Sequence, residues 1–495
     1  MVFIMVDITI EKYDDTYARV TADVSIKMEL SDYFCFEAEG ARFHRKVKHG
    51  LWDGKIRLFG SRYGELPIGL VPSLIKWASK NKYTVDNKVN LNNELSREAF
   101  DKWLDEHPVF DGSQQITPHW YQSDAAYHFL TSSRCLLQLP TSAGKSLIIG
   151  LCAKYYQEHY PKKILVIVPT IALVKQMKDD LINYRLFGDK DILCIKSGTE
   201  RDSNSVVYVS TWQTASKQPK EWFAQFGMLM TDECHLGTGA SLTKINQGMV
   251  DCEFKAGLTG TLKDAKAHIM QLIGLYGPIY HPVTTSGLMK TGQVTDLDIR
   301  PILIQYPNNM KEFRGLDYPS EIKWLITNHK RNVFISKLAA SVPEQNTIVL
   351  FKERKHGQRL FEIINNMVVH ERKVIYIAGD VKPTERETLR DIIENIKGAI
   401  IIASYGTMST GVSIKNLHRA ICAHPIKSKI INLQSIGRVL RKHDSKSKAM
   451  WFDLIDDFTC GLKRKKKNFA FKHGIDRLRL YSREQFNYKM SKISL

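Results

Sequence analysis

Leu136-Leu-Gln-Leu-Pro-Thr-Ser-Ala-Gly-Lys-Ser146 is the stretch on which the fold turns. A short apolar run, a loop of small residues closed by a lysine, and Leu147-Ile-Ile-Gly-Leu151 spell strand, tight turn and helix. That architecture cradles phosphate, because the unpaired N–H groups at a helix start converge on an anion. Backbone N–H groups of Thr141, Ser142, Ala143, Gly144 and Lys145 are expected to face a nucleotide's β-phosphate, with Gly144 permitting close approach. Lys145 would neutralise the β/γ charge and Ser146 would reach Mg²⁺, so ATP and Mg²⁺ are the expected cofactors. Leu139 stands where the strict pattern has its first glycine. Alone, therefore, the segment is equally an ordinary strand-turn-helix.

Outward from this point, apolar runs alternate with helix-length amphipathic stretches, at 164–168, 206–210, 228–231 and 254–258. The rhythm restarts at 347–351, 373–377, 399–403, 419–423 and 449–454. Such alternation predicts α/β architecture with parallel sheets, here two consecutive domains over 111–283 and 331–458. A Gly-, Pro- and Thr-containing stretch, 284–330, is expected to carry the crossover and hinge. Before it all, residues 1–110 read as a small α/β domain with a helix from about Val71 to Lys82. Residues 459–495 read as a basic, short helical C-terminal segment, with Lys463-Arg-Lys-Lys-Lys467 and then Phe471, Ile475, Leu478 and Tyr481 at helical spacing.

Two further constellations sharpen the loop. Met228-Leu-Met-Thr-Asp-Glu-Cys-His235 ends an apolar strand in adjacent carboxylates, which a core accommodates only when a cation meets them. Asp232 is expected to hold the metal's water shell, while Glu233 orients and deprotonates an attacking water. His235, directly after the pair, is assigned to coupling between domains, and Cys234 to spacing. Gln434-Ser-Ile-Gly-Arg-Val-Leu-Arg441 then puts Arg438 and Arg441 three apart, on one helical face. Two such guanidinium groups stabilise charge on a transferring phosphoryl group.

Composition narrows the partners. A net charge of +19 over 495 residues exceeds what solubility requires and points to a polyanion. The eight cysteines lack C-x-x-C spacing and read as reduced thiols of a cytoplasmic protein. Asp7, Glu11, Asp14 and Asp15 make the beginning unlike a secretory signal, and no uncharged apolar run is long enough to span a bilayer, so a membrane partner is not expected.

LPTSAGKS, DECH, the Thr259–Thr261 TGT and QSIGRVLR stand in the order of superfamily 2 helicase motifs, and over about 116–457 the chain resembles that family. His119-Trp-Tyr-Gln122 is similar to its adenine-reading element, which assigns Gln122 to the base. Thr259, Thr261 and Gln434 join His235 as coupling residues. Long blocks outside the motifs, including FEAEG…WDGKIRL and SKIINLQSIGRVLRKH, resemble phage recombination and repair helicases more narrowly. The resemblance implies two tandem RecA-like domains, ATP-driven unwinding of branched DNA, and dissolution of RNA–DNA hybrids. It also implies single-strand-binding and recombination proteins as partners, and the host cell cytoplasm as location if phage-encoded. Strand contacts fall on Thr170, Thr211, Lys352, Thr410 and Gly411, hydroxyls and backbone groups suited to phosphate, which carries no sequence information. In the amino-terminal block, Arg45, Lys46 and Trp52, with Phe43 and Phe59 nearby, suit gripping and stacking at a junction. Ser413 replaces the motif's usual aspartate. An RNA helicase, or a DNA-binding or annealing protein with a vestigial ATP site, are the competing readings.

Overall fold

Strands Ile8–Lys12 (β1) and Tyr17–Ala22 (β2) form an antiparallel pair whose Ile8, Ile10, Ala18 and Val20 alternate inward. Alternation at period two gives a sheet one apolar face. The following short strands are Cys35–Glu37 (β3), Lys55–Arg57 (β4), Glu65–Pro67 (β5) and Val85–Asn87 (β6), with the amino-terminal sheet ordered β5-β2-β1-β6. β3 and β4 form a separate pair. The helix Val71–Lys80, with Pro72 in its first turn where a missing N–H is harmless, buries Val71, Leu74, Trp77 and Ala78 against the sheet. The structure is a computed structural model describing residues 6–38, 40–195, 203–237, 239–262, 265–306, 316–368, 372–377, 393–409, 414–459 and 467–495.

The chain divides into two compact units, Met1–Leu139 with Ala143–Pro282, and Val283–Leu495 with Pro140–Ser142. The amino-terminal sheet therefore clusters with the first α/β region. A second strand pair, Val109–Asp111 (β7) and Gln114–Ile116 (β8), leads into that region. Its sheet runs through Arg134–Gln138 (β9), Lys163–Val168 (β10), Ile192–Cys194 (β11), Val207–Thr211 (β12), Phe226–Thr231 (β13), Phe254–Thr259 (β14) and Ile279–Tyr280 (β15). The order is β11-β12-β10-β13-β14-β9-β15, with every pairing parallel. β13 and β14 are buried along their whole length. Sheets covered on both faces need such continuous apolar runs, because parallel strands demand crossover helices.

The amino-terminal sheet is fastened to this region rather than tethered to it. Met270 and Ile273, on the helix Lys266–Tyr276, pack into the amino-terminal core. Gly69 is required there, since a Cβ at that position would stand 2.1 Å from the Ile273 carbonyl oxygen. In the β1–β2 turn, the Asp15 N–H donates to the Val250 carbonyl at 2.8 Å and the Thr16 hydroxyl to the Asn246 carbonyl at 2.9 Å. Lys255, fully buried, donates from Nζ to Thr16 Oγ1 at 3.0 Å and to the Met249 carbonyl at 2.9 Å. Burial, and next the Arg134 charge, pull this ammonium down to about 7.

The second unit repeats the plan with Asp296–Gln305 (β16), Thr347–Phe351 (β17), Val374–Ile377 (β18), Ile400–Ser404 (β19), Arg419–Cys422 (β20), Lys448–Asp457 (β21) and Ser491–Ser494 (β22). Their order is β18-β19-β17-β20-β21-β16-β22, again all parallel. Two stretches carry more structure than the sequence reading gave them. The stretch expected as a crossover contains β16, ten residues paired along its full length with β21. Its Pro301, Asp296, Asp298 and Arg300 had disguised it as a loop. The stretch expected as a basic helical C-terminal segment contains the helix Phe469–Arg483, which buries Ala470, Gly474, Arg477, Leu480 and Tyr481, and supplies β22 at the sheet edge as well. Buried ion pairs hold the interior: Arg331 to Asp456 at 2.8 Å and Arg477 to Asp453 at 2.7 Å. The basic run reduces to Lys467, since 463–466 lie outside the described residues. Among the described residues no helix is long and apolar enough to cross a membrane.

Candidate active site

At the end of β9 the chain enters the loop that the sequence assigned to phosphate. Leu139, in the place of the missing glycine, is fully buried and its N–H donates to the Thr259 carbonyl at 2.9 Å. An apolar side chain here anchors the loop to β14. Ser142 and Gly144 both take left-handed backbone, with φ of 71° and 73°. Gly144 has a second reason to be glycine, because a Cβ would stand 2.3 Å from Gln122 Nε2. Thr141 and Ala143 complete the loop, and Lys145 opens the helix Lys145–His159.

β13 delivers the carboxylates beside this helix start. The Asp232 N–H donates to the Ile167 carbonyl at 2.8 Å, fixing the strand end against β10, and Asp232 Oδ1 accepts from the Glu233 N–H at 2.9 Å. Glu233 adopts φ 45° and ψ 43°, a conformation that a residue with a Cβ holds only when its surroundings impose it. The imposing contacts are visible. Glu233 Oε1 pairs with Lys145 Nζ at 3.1 Å, and Oε2 lies 3.2 Å from His235 Nδ1. His235 Nδ1 also meets Thr259 Oγ1 at 2.7 Å, and the Thr259 hydroxyl donates to the Thr261 carbonyl at 3.1 Å. Because that hydroxyl's proton is committed to Thr261, the His235 proton belongs on Nδ1. Lys145, Glu233, His235, Thr259 and Thr261 thus form one continuous polar chain from the loop to the end of β14.

The two carboxylates are driven apart electrostatically. Burial, and next the Glu233 charge, raise the Asp232 carboxyl well above the ordinary range, against the pull of Lys145. Burial acts the same way on Glu233, but Lys145 and then His235 outweigh it and hold that carboxyl low. A half-buried carboxyl raised by its own anionic neighbour is a fitting partner for a divalent cation, whose charge relieves both effects. Among the described residues no group of three or more His, Cys, Asp or Glu side chains could hold a metal by itself. Mg²⁺ at a phosphate site needs no such cage, because water and substrate oxygens supply most of its ligands. Ser146, the other expected metal ligand, points elsewhere: its hydroxyl lies 2.8 Å from the Tyr184 hydroxyl.

Tyr184 belongs to a cavity of about 510 Å³, whose walls include Asp111, His119, Gln122, Gly144, Asp180 and Tyr184. That size suits a small-molecule ligand. Gln122 binds its own scaffold, accepting from the His119 N–H at 2.8 Å and donating to the Ala143 carbonyl at 2.9 Å. One N–H and one lone pair of the amide remain for a base. Burial raises Asp180 to about 6, opposed by hydrogen bonds from Ser146 and Gln176, and raises Tyr184 to about 12. Sequence reasoning missed Asp180 and Tyr184. The available signal was a carboxylate and a tyrosine four apart on the helix Ile171–Asn183 and its cap, a pattern common to many surface helices.

In the second unit, the helix Lys429–Val439 buries Asn432, Ser435, Ile436 and Val439 and leaves Gln434 and Arg438 partly exposed, with Arg441 just past its end. Thr295 holds that end, its N–H donating to the Leu440 carbonyl at 2.8 Å and its hydroxyl to the Arg441 carbonyl at 3.2 Å. Lys446 Nζ reaches the Val439 and Leu417 carbonyls at 2.7 and 2.9 Å. The expected strand contacts fare unequally. Thr170 and Thr211 spend their hydroxyls capping helices, accepting from Leu173 and Thr214 N–H groups at 3.4 and 3.3 Å. Lys352 is exposed after β17. Thr410, Gly411 and Ser413 lie outside the described residues. Arg45 and Lys46 are exposed on a short helix. Trp52 is tied down, its indole N–H donating to the Lys55 carbonyl at 2.9 Å and its ring edge against His44. Phe59 is buried, leaving Phe43, 67% exposed with Arg42 over its face, as the open aromatic of that block.

Residues 7–87 match the family described as DNA helicase UvsW, N-terminal, and residues 114–264 that described as type III restriction enzyme, res subunit. The chain is 47% identical over 508 residues to the ATP-dependent DNA helicase uvsW of Enterobacteria phage T4, across 99% of this chain and 100% of that protein. Its structure is similar to the crystal structure of T4 UvsW, with a TM-score of 0.55 at 44% identity over 99% of this chain and 100% of that one. The DUF1998 helicase MrfA bound to DNA shares the fold, with a TM-score of 0.55 at 14% identity over 77% of this chain and 50% of that one. The helicase resemblance and the tandem RecA-like architecture are both borne out.

Proposed function

This chain belongs to the UvsW family of ATP-dependent DNA helicases, and on that footing we propose how its residues divide the reaction and which DNA it remodels. The observation that supports the division is the polar chain from Lys145 through Glu233 and His235 to Thr259. Lys145 exchanges its pairing with Glu233 for the nucleotide's β- and γ-phosphates. Glu233, relieved of that cation, becomes the stronger base and takes a proton from the attacking water. Asp232 would hold Mg²⁺, joined by Ser146 once its hydroxyl leaves Tyr184, and the cation would supply positive charge to the phosphates. Thr141, Ser142, Ala143 and Gly144 present backbone N–H groups, and Gln122 faces the base. Arg438 and Arg441 bring charge to the transferring group from the second unit. His235, Thr259, Thr261 and Gln434 pass the nucleotide state on to the rest of the motor.

The substrate we propose is branched DNA, with fork regression, junction migration and dissolution of D-loops and R-loops as the outcomes. The net charge of +19 and the exposed Arg45 and Lys46 support phosphate contact without sequence preference. Two measurements test the reading together. Glu233→Gln should keep ATP binding and lose DNA-stimulated hydrolysis by about 10²–10⁴-fold, the range for removing a general base. Wild-type protein should unwind forks and four-way junctions in preference to plain duplex, with RNA–DNA hybrids also opened. Full hydrolysis by Glu233→Gln would remove the base assignment, and equal rates on all substrates would remove the branched-DNA preference.

A further inference from the structure

We infer that Tyr481, on the C-terminal helix, is a positioning residue for ATP hydrolysis, acting through Asn432 on the helix that carries Arg438. This rests on the proposed role of the arginines.

The helix Lys429–Val439 must present Arg438, and Arg441 just past its end, in one orientation. At about 100° per residue, Asn432 lies roughly opposite Gln434 and about 120° from Arg438, so it anchors a face turned away from both. It is fully buried, and its Nδ2 donates to the Tyr481 hydroxyl at 3.0 Å. That hydroxyl also accepts from Trp451 Nε1 at 3.2 Å and donates to Asp453 Oδ2 at 2.9 Å. One donor and two acceptors are all that a hydroxyl has, so its capacity is filled.

The same helix grips a second time. Arg477, four residues before Tyr481 and on the same face, pairs with Asp453 through Nε and Nη2 and donates from Nη1 to the Ile426 carbonyl at 2.6 Å. Ile426 precedes the arginine helix, so Arg477 fixes its approach and Tyr481 fixes its first turns. Arg477, Tyr481, Asp453 and Asn432 are all buried, where an unsatisfied polar group is expensive and geometry is correspondingly strict. The C-terminal helix thus contributes a template for the arginines.

The test uses the full-length protein with Tyr481→Phe, which removes only the oxygen. DNA-stimulated kcat should fall about tenfold, with KM for ATP and DNA affinity changed less than about twofold, the pattern of a lost transition-state interaction. Asn432→Leu, cutting the link from the other side, should lower kcat similarly, and the double variant no further. In an Arg441→Lys or Arg438→Lys background, Tyr481→Phe should have little left to remove. An unchanged kcat in Tyr481→Phe and Asn432→Leu overturns the inference, as does an equal fractional loss in the lysine backgrounds or a loss explained by unfolding in thermal melts. If neither arginine variant lowers kcat, the arginine reading itself fails first.

Discussion

Each α/β unit ends a central strand in acidic residues, and treats them in opposite ways. In the first, Asp232 and Glu233 follow β13 at partly buried positions, and Glu233 meets the side chain of Lys145. In the second, Asp453, Asp456 and Asp457 lie inside β21, buried, and the first two are closed against Arg477 and Arg331. On the function proposed above, partly exposed carboxylates with an exchangeable cation are reagents. Enclosed ones with fixed guanidinium partners are architecture. The difference is one of consequence when a charge is removed, and it can be measured.

Breaking an enclosed pair should have the largest effect on stability. Arg331→Met strands Asp456, which also accepts from the Tyr306 hydroxyl at 2.7 Å, and should cost about 3–5 kcal/mol in denaturant unfolding. Adding Asp456→Leu should recover much of it, because the uncompensated charge is what hurts. Asp232→Asn is the matching change in the first unit. It should leave stability unchanged or slightly higher, since burial and Glu233 already disfavour that charge, while hydrolysis is lost. Comparable destabilisation by Asp232→Asn and Arg331→Met would erase the distinction.

What could be read from the sequence follows the same division. The central strands, continuous apolar runs, were legible, as were the loop at Lys145 and the pair at Asp232, because each directly follows such a run. β16 was not, since Pro301 and the charged Asp296, Asp298 and Arg300 interrupt the continuous apolar run that marked the other strands. Nor were the Arg331–Asp456 and Arg477–Asp453 pairs, whose partners stand 125 and 24 residues apart. Partners of that kind are chosen by packing alone, and no spacing rule exposes them. For the same reason Asp180 and Tyr184 surfaced only as walls of a cavity. The capping duty of Thr170 and Thr211 was equally hidden behind their motif positions.

Lys255 sharpens the comparison from the other direction, as a buried cation of the first unit bonded to a hydroxyl and to carbonyls. With its folded pKa at about 7 against an ordinary 10.5, the unfolded chain binds the extra proton between those values, so stability rises with pH across the window. From pH 7.5 to 9.5 the gain from this group should be roughly 2–3 kcal/mol. Below pH 7 the burial penalty is fully present. Lys255→Met should flatten the pH dependence of unfolding relative to wild type over that interval. An identical slope in both proteins would mean that the lysine stays charged inside, paired as firmly as the arginines of the second unit.

The smallest expected effect carries the same contrast into the amino-terminal block, where Phe43 is open and Trp52 is anchored. Phe43→Ala should weaken junction binding by about 1 kcal/mol, the lower end for losing one aromatic stacking platform, with no change in melting temperature. Trp52→Phe removes the indole hydrogen bond to the Lys55 carbonyl and should instead lower the melting temperature slightly while leaving DNA affinity alone. Competition binding on a four-way junction, read beside thermal melts of both variants, separates the two roles. If Trp52→Phe weakens binding and Phe43→Ala does not, exposure is a poor guide to function in this block. The aromatic that meets DNA would then be the one held in place, its orientation secured by Lys55 and His44 before any base arrives.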